Sequence, residues 1–198
     1  MRYWYDTEFI DDGKTIDLLS VGIVAEDGRE LSLQSCECDL EKASSWVREN
    51  VLPHLEICRW AAVTLDSRSP WRNDSHYHKR HGQCVDQHRG WIHNCPWRTR
   101  EQIRWDIVTF LNVETYGKPE LWGYYSAYDH VAFAQLFGAM IDLPEGYPMY
   151  TNDIKQWCQA LGNPRLPEQG KGEHNALADA RWNKVAWEFL HTMEGGAS

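Results

Sequence analysis

Residues 4–9 read WYDTEF, an apolar, strand-like run interrupted by two carboxylates, Asp6 and Glu8, one residue apart. In a strand, side chains at i and i+2 share a face, so Asp6 and Glu8 project together while Tyr5, Thr7 and Phe9 face the other way. Two like charges that close raise each other's cost of ionising unless a cation sits between them. Taken alone, the pair fits either a divalent-metal site or an edge strand with acids on its wet face.

Outward from this stretch, alternation and turn signals continue the pattern. RYWYDTEFI reads as a strand, IDDGKT as a hairpin turn, IDLLSVGIVAE as a second strand, EDGR as a tight turn and ELSLQSCEC as a third strand, giving an antiparallel meander. DLEKASSWVRENVLPHL (39–55) has apolar residues at helical spacing, with Asp39 as N-cap and an end before Pro53. Periodicity is lost over residues 57–97, which fill with His, Arg, Ser, Asn and Trp and read as a long insertion. Order returns at TREQIRWDIVTFLNVE (99–114), a helix whose Thr99 and Gln102 suit a capping box. PELWGYYS (119–126) reads as a buried strand running directly into a helix, AYDHVAFAQLFGAMI (127–141). TNDIKQWCQALG (151–162) is a further helix ending at Gly162, and HNALADARWNKVAWEFLHTM (174–193) a closing amphipathic one. Three meander strands followed by helix, strand and helix imply an α/β fold, a mixed central sheet flanked by helices.

A chain of 198 residues with 42% hydrophobic content builds one sizeable core, so the expectation is a single domain over 1–198 carrying the insertion at about 57–97. MRYWYD has no apolar segment with a cleavage site, and no stretch approaches the roughly 20 apolar residues that span a bilayer. A soluble, cytoplasmic protein with no membrane partner is expected. The six cysteines lack a secretory context, so reduced thiols or a metal site are favoured over a disulfide framework, with Cys158 as core. The net charge of −9 hides an asymmetry: residues 57–104 hold nine Lys or Arg against four acids, so the rest of the chain carries −14. An acidic body with one basic insert suits an enzyme that concentrates carboxylates around cations and keeps its phosphate contacts local.

Two further candidates bear on the metal reading. Asp129 in YYSAYDHV lies where an apolar strand gives way to a helix, a position where Asp can equally serve as a cap. In HNALAD, His174 and Asp179 stand five residues apart at the start of the last helix, the histidine on the loop and the acid on the helix. Singly, each is matched by an ordinary surface role. Together, a strand Asp-x-Glu near the start, an Asp at a strand-to-helix junction and a His-x-Ala-x-x-Asp opening the last helix resemble the DEDDh 3′-5′ exonucleases. That RNase T-like superfamily has an RNase H-like fold. MRYWYDTEFIDDGKTIDLLSVGIVAEDGRE and AYDHVAFAQLFG look most like the RNase AS family of polyadenylate-specific exoribonucleases within it.

The resemblance covers most of the chain outside 57–97. It implies that Asp6, Glu8, Asp129 and Asp179 are the four metal-binding acids and His174 the catalytic histidine. It also implies a homodimer and a single-stranded RNA 3′ end as substrate, with an inherited adenosine preference. The chemistry suits those residue types: four carboxylates can hold two Mg²⁺ or Mn²⁺ ions about 4 Å apart. An imidazole, with an ordinary pKa of about 6.5, suits accepting a water proton near neutral pH. The implied product is a nucleoside 5′-monophosphate. Ser126 departs from the pattern, standing where many relatives have Asn, and this weakens a sugar or backbone contact rather than the metal site. Thr7, Phe9, Ser126 and Tyr128 are the candidate substrate contacts, with core packing the alternative for Phe9. A DNA exonuclease shares these motifs, and a catalytically silent nucleic-acid-binding module is the alternative from outside the enzymes.

The insertion gathers ligand types for a structural Zn²⁺, with Cys58, Cys84, His88 and Cys95 as candidates, but lacks a paired C-x-x-C. A solvated basic arm fits the same residues. So does single-strand binding through its cations with Trp71, Tyr77, Trp91 and Trp97, or a dimer contact. Trp105, Trp157, Trp182 and Trp187 occupy helix-compatible positions and are read as core.

Overall fold

A computed structural model describes residues 1–56, 96–170 and 172–195. The zinc candidates Cys58, Cys84, His88 and Cys95 lie outside the described residues, as do Trp71, Tyr77 and Trp91. Among the described residues six strands form one mixed sheet: β1 (Arg2–Asp11), β2 (Ile16–Ala25), β3 (Glu30–Ser35), β4 (Trp97–Arg98), β5 (Glu120–Gly123) and β6 (Asn152–Asp153), ordered β4-β3-β2-β1-β5-β6. The meander β1-β2-β3 is antiparallel, while β4 on β3, β5 on β1 and β6 on β5 pair in parallel. The described helices are α1 (Ser45–Asn50), α2 (Arg100–Leu111), α3 (Val113–Tyr116), α4 (Ala127–Gln135), α5 (Ile154–Ala160) and α6 (Ala176–Gly195). This is the expected α/β architecture, and no described helix is long and apolar enough to cross a membrane.

The alternation of β1 divides the core into layers. Tyr3 and Tyr5 pack with Ile103, Ile107 and Leu111 of α2 and Ala132 and Phe133 of α4. On the opposite face Trp4 packs with Ala186, Trp187 and Leu190 of α6 and with Ile154 and Cys158 of α5. Further along that face, Ile10 joins Leu19, the segment around α1 and Trp97 in a third cluster. The pairing of β1 with β2 slips at one point: Glu8 faces Ser20 but Phe9 faces Leu18, so β2 carries one extra residue, Leu19. This bulge lets consecutive leucines enter different layers, Leu18 one and Leu19 the other.

Several elements are shorter than the sequence pattern implies. The helix expected over 39–55 is three pieces: a 3-10 turn at Leu40–Lys42, α1, and a second 3-10 turn at Leu52–His54 that contains Pro53. Two capping residues compete here. Asp39 accepts from Glu41 N–H, but extended Ala43 ends that turn, and Ser44 restarts the helix by accepting from Val47 N–H at 3.2 Å. Strand β5 ends at Gly123 rather than Ser126, and α4 ends at Gln135, three residues before the left-handed Gly138 (φ +113°). The capping box of α2 is present as expected.

Two tryptophans correct their readings. Trp97 is 1% exposed, lies on β4 and donates through Nε1 to Glu56 O at 2.8 Å, so it belongs to the sheet rather than to the insertion's stacking surface. Trp105 is 60% exposed, because the buried stripe of α2 is Ile103, Ile107 and Leu111 and a residue two positions from Ile103 points about 200° away from it. Trp187 is buried in the α6 layer, with Trp157 and Trp182 partly buried against it, and Cys158 is core as expected.

Candidate active site

The site begins where β1 loses a neighbour. Parallel pairing with β5 stops at Trp4 opposite Trp122, and β5 leaves the sheet after Gly123. A Cβ at Gly123 would press on Ser126 Cβ at 2.7 Å, so glycine permits the tight turn into α4. Beyond that point side chains replace the missing strand. Asn183 of α6 donates through Nδ2 to Tyr5 O at 2.9 Å. Thr7 donates through its N–H and Oγ1 to Asp129 Oδ1 of α4, at 2.8 and 2.7 Å. The Asp129 carboxylate is committed across to β1, with Oδ1 accepting from both donors.

Asp179 arrives from the opposite layer. The first turn of α6 lies directly on β2 at Gly22, where a Cβ would overlap the backbone of Ala176 and Leu177. Gly22 pairs with Asp6, so this close approach sets Asp179 against the acids of β1. Ligand oxygens of Asp6, Glu8 and Asp179 lie within 4.8 Å of one another. Asp179 also organises the preceding loop, accepting from His174 N–H at 3.0 Å on Oδ2 and from Gln169 Nε2 on Oδ1. The His174 ring meets Trp46 of α1 edge-on, with centroids 4.9 Å apart.

Asp6, Glu8, Asp129, His174 and Asp179 thus line one cleft of about 310 Å³, shared with Thr7, Phe9, Tyr128, Trp46, Tyr124 and Tyr125. Among the described residues, none of the four carboxylates is paired with a Lys or Arg. Burial, then repulsion from Asp129, Glu8 and Asp179, drives the Asp6 carboxyl well above the usual range. Burial and the neighbouring Asp179 and Asp129 push Glu8 up to about 8. Burial raises Asp129 to about 6 against the opposing hydrogen bonds from Thr7, and raises Asp179 against those from His174 and Gln169. Carboxylates that are costly to ionise together, with no described Lys or Arg among them, form the donor set of a hard divalent ion. The arrangement is three acids in close contact and a fourth, Asp129, anchored alongside by Thr7.

The four candidate substrate contacts separate. Phe9 is half-buried in the cleft wall, its ring stacked on Tyr128 with centroids 6.0 Å apart. Tyr128 is 52% exposed. Thr7 is buried and spends its hydroxyl on Asp129. Ser126 is fully buried, donating through its N–H to Asp153 Oδ2 at 2.8 Å and aiming Oγ at the same carboxylate, so both groups are committed within the protein. Its role is to join α4 to α5, since Asp153 also caps α5 through Gln156 N–H at 2.8 Å.

Sequence reasoning missed Gly22, Asn183, Gln169, Trp46, Tyr124 and Tyr125. Only Gly22 carries a local signal, a lone glycine inside the strand SVGIV, which marks close backbone approach. The others are placed by tertiary contacts that no short spacing encodes.

A family model described as the 3′-5′ exoribonuclease Rv2179c-like domain matches residues 1–191 of the chain. Two Mycobacterium tuberculosis proteins are similar over most of their length: 3′-5′ exoribonuclease Rv2179c of strain H37Rv and 3′-5′ exoribonuclease MT2234.1 of strain CDC 1551. Each is 41% identical over 181 residues, covering 91% of this chain and 88% of the relative.

Proposed function

We propose, from the premise that this chain belongs to the 3′-5′ exoribonuclease Rv2179c-like family, that it is a metal-dependent 3′-5′ exoribonuclease acting on single-stranded RNA. The observation that carries the reading is the approach of Asp6, Glu8 and Asp179 within 4.8 Å, with Asp129 and His174 in the same cleft. Those acids would hold two Mg²⁺ or Mn²⁺ ions, which supply Lewis acidity for phosphodiester hydrolysis when bound. His174 takes the proton of the attacking water. The P–O3′ bond of the last phosphodiester breaks, releasing a nucleoside 5′-monophosphate and leaving a new 3′ hydroxyl on the shortened RNA. The bond from His174 N–H to Asp179 ties the base to the acid cluster, so both are placed by one side chain.

Three finer points belong to the same reading. An adenosine-rich 3′ end is the preferred substrate, by resemblance. The protein acts as a homodimer, a reading supported by exposed apolar residues gathered on α4 and the following loop: Val131, Met140, Ile141, Met149 and Tyr150. It works in the cytoplasm, in keeping with the free, buried thiols of Cys38 and Cys158.

The test is to incubate matched RNA and DNA oligonucleotides, including one with a poly(A) 3′ end, with Mg²⁺ or with EDTA and to identify the products. Stepwise loss of 5′-monophosphates from RNA in Mg²⁺ and none in EDTA is expected. Equal digestion of DNA would favour the DNA exonuclease instead. Binding of RNA without products under any metal would leave only a silent binding module.

A further inference from the structure

Left-handed backbone is distributed unevenly in this chain. Seven described glycines have positive φ, as do two asparagines, Asn112 and Asn163, the residue types that adopt this region at little cost. The two remaining positions are Tyr125 (φ +55°) and His174 (φ +67°), and both line the acidic cleft. Histidine, like asparagine, enters this region comparatively readily; for a bulky residue such as tyrosine it is strained, and such strain persists where surrounding structure enforces it, commonly at functional sites. His174 has a role in the proposed reaction. Tyr125 has none assigned.

Packing does not explain Tyr125. Its side chain is among the most exposed large hydrophobics described, at 64%, and its ring contact is an edge-on approach to Tyr124 with centroids 4.7 Å apart. The turn itself is held by backbone, Ala127 N–H donating to Tyr125 O at 2.9 Å, and by Asp153 on the next residue's N–H. A glycine or asparagine would close the same turn without strain. What the tyrosine adds is an aromatic face standing in the cleft beside the acids.

The cleft needs such a face. Its described lining contains four carboxylates and no Lys or Arg, so among the described residues no Lys or Arg offers a polyanionic strand an ion pair there. It does contain Phe9, Trp46, Tyr124, Tyr125 and Tyr128. Stacking of bases on aromatic rings is the principal non-ionic source of single-strand affinity. Resting on the exoribonuclease reading above, we propose that Tyr125 is a substrate-positioning residue that stacks on one of the two 3′-terminal bases of the RNA. Its left-handed backbone is the device that turns the ring toward the base.

The test uses the full chain in Mg²⁺, measuring KM and kcat on a six-nucleotide RNA and on analogues lacking the base at the last or next-to-last position, together with the thermal midpoint. Tyr125→Ala should raise KM about tenfold on intact RNA, the scale of one lost stacking contact, while Tyr125→Phe restores it. One of the abasic analogues should show the raised KM with wild-type protein and no further rise with Tyr125→Ala. Tyr125→Gly should lose the same affinity while its thermal midpoint stays level or rises, because glycine relieves the strain. Unchanged KM in Tyr125→Ala, or a falling midpoint in Tyr125→Gly with intact KM, would overturn the proposal and leave the exoribonuclease reading standing. Absence of RNA hydrolysis by the wild-type protein would instead overturn that reading, and this one with it.

Discussion

The two halves of β1 are one strand with two different ways of satisfying an edge. Arg2, Tyr3 and Trp4 lie between β2 and β5, paired on both sides by backbone. From Tyr5 to Phe9 the strand has outrun β5, and side chains from two helices on opposite faces take over: Asn183 from α6 and Asp129 from α4. The sealed half is apolar on both faces, with Tyr3 and Trp4 in separate core layers. The open half brings its acids to the point where both layers end. An aligned backbone partner would have covered this edge; its absence makes room for a cleft in which side chains satisfy Tyr5 O and Thr7 N–H instead.

The largest effect should come from removing an acid of the open half. Asp6→Ala should reduce RNA hydrolysis by at least a thousandfold while the chain stays folded, as shown by an unchanged circular dichroism spectrum. Removing one of several mutually repelling buried carboxylates does not cost the metal-free fold. Retention of substantial turnover by the purified variant would mean that the acids of β1 only line the edge.

Next in size is Gly22→Val, which acts on the fold and the site together. The side chain would collide with the backbone of Ala176 and Leu177, and backbone cannot yield as a side-chain tip can. A loss of about 3 kcal/mol or more in denaturant unfolding is expected, of the order of severe overpacking. Activity should fall even in protein that remains folded, since α6 carries Asp179. A mild stability loss with full activity would show that α6 can shift without disturbing the acids.

These two predictions mark what the sequence could and could not tell. Asp6, Glu8, Asp129, His174 and Asp179 each occupy a local setting that an ordinary role also fits, alternation in a strand, a strand-to-helix junction, the opening of a helix, and it is the resemblance of their combined order to the DEDDh exonucleases that picks them out. The convergence of these residues in one cleft was what the resemblance implied, while the meander and the later strand-helix alternation made the mixed sheet readable. The fragmented helix over 39–55 was not, because Asp39 and Ser44 are both adequate caps and only packing chooses between them. Nor was the burial of Ser126, which depends on Asp153, 27 residues away. Trp105 misled because helical spacing places a residue on a helix without saying which face the core will cover.

A third prediction concerns protons and cations. Glu8 sits at about 8 in the folded protein against an ordinary value of 4.5, and Asp129 at about 6 against 3.8. The folded, metal-free chain therefore retains protons that the unfolded chain has released, so stability falls as pH rises from about 4 through 6 to 8. In EDTA the thermal midpoint should be higher at pH 5 than at pH 8.5. Mn²⁺ should recover the loss at pH 8.5 and do little at pH 5, where protons compete for the same oxygens. Glu8→Gln should raise the EDTA midpoint at pH 8.5 by about 3–6 °C, the shift of one to two kcal/mol in a chain of this size. An EDTA midpoint that rises with pH over this range would contradict the buried, unpaired state of these acids.

The smallest effect separates the hydroxyl of Thr7 from its backbone. Thr7→Val deletes the bond from Oγ1 to Asp129 Oδ1, and Thr7→Ser keeps it at the loss of a methyl. Stability hardly distinguishes them, since a buried methyl and a net hydrogen bond are each worth about 1 kcal/mol. Activity should distinguish them, with Thr7→Ser within about threefold of wild type and Thr7→Val reduced about tenfold, because an acid misplaced by a fraction of an ångström serves its site poorly. The reduction stays modest because the Thr7 N–H still holds the same oxygen at 2.8 Å. Equal activities in the two variants would mean that the backbone donor alone positions Asp129, and that the open edge of β1, rather than any side chain on it, sets the geometry of the fourth acid.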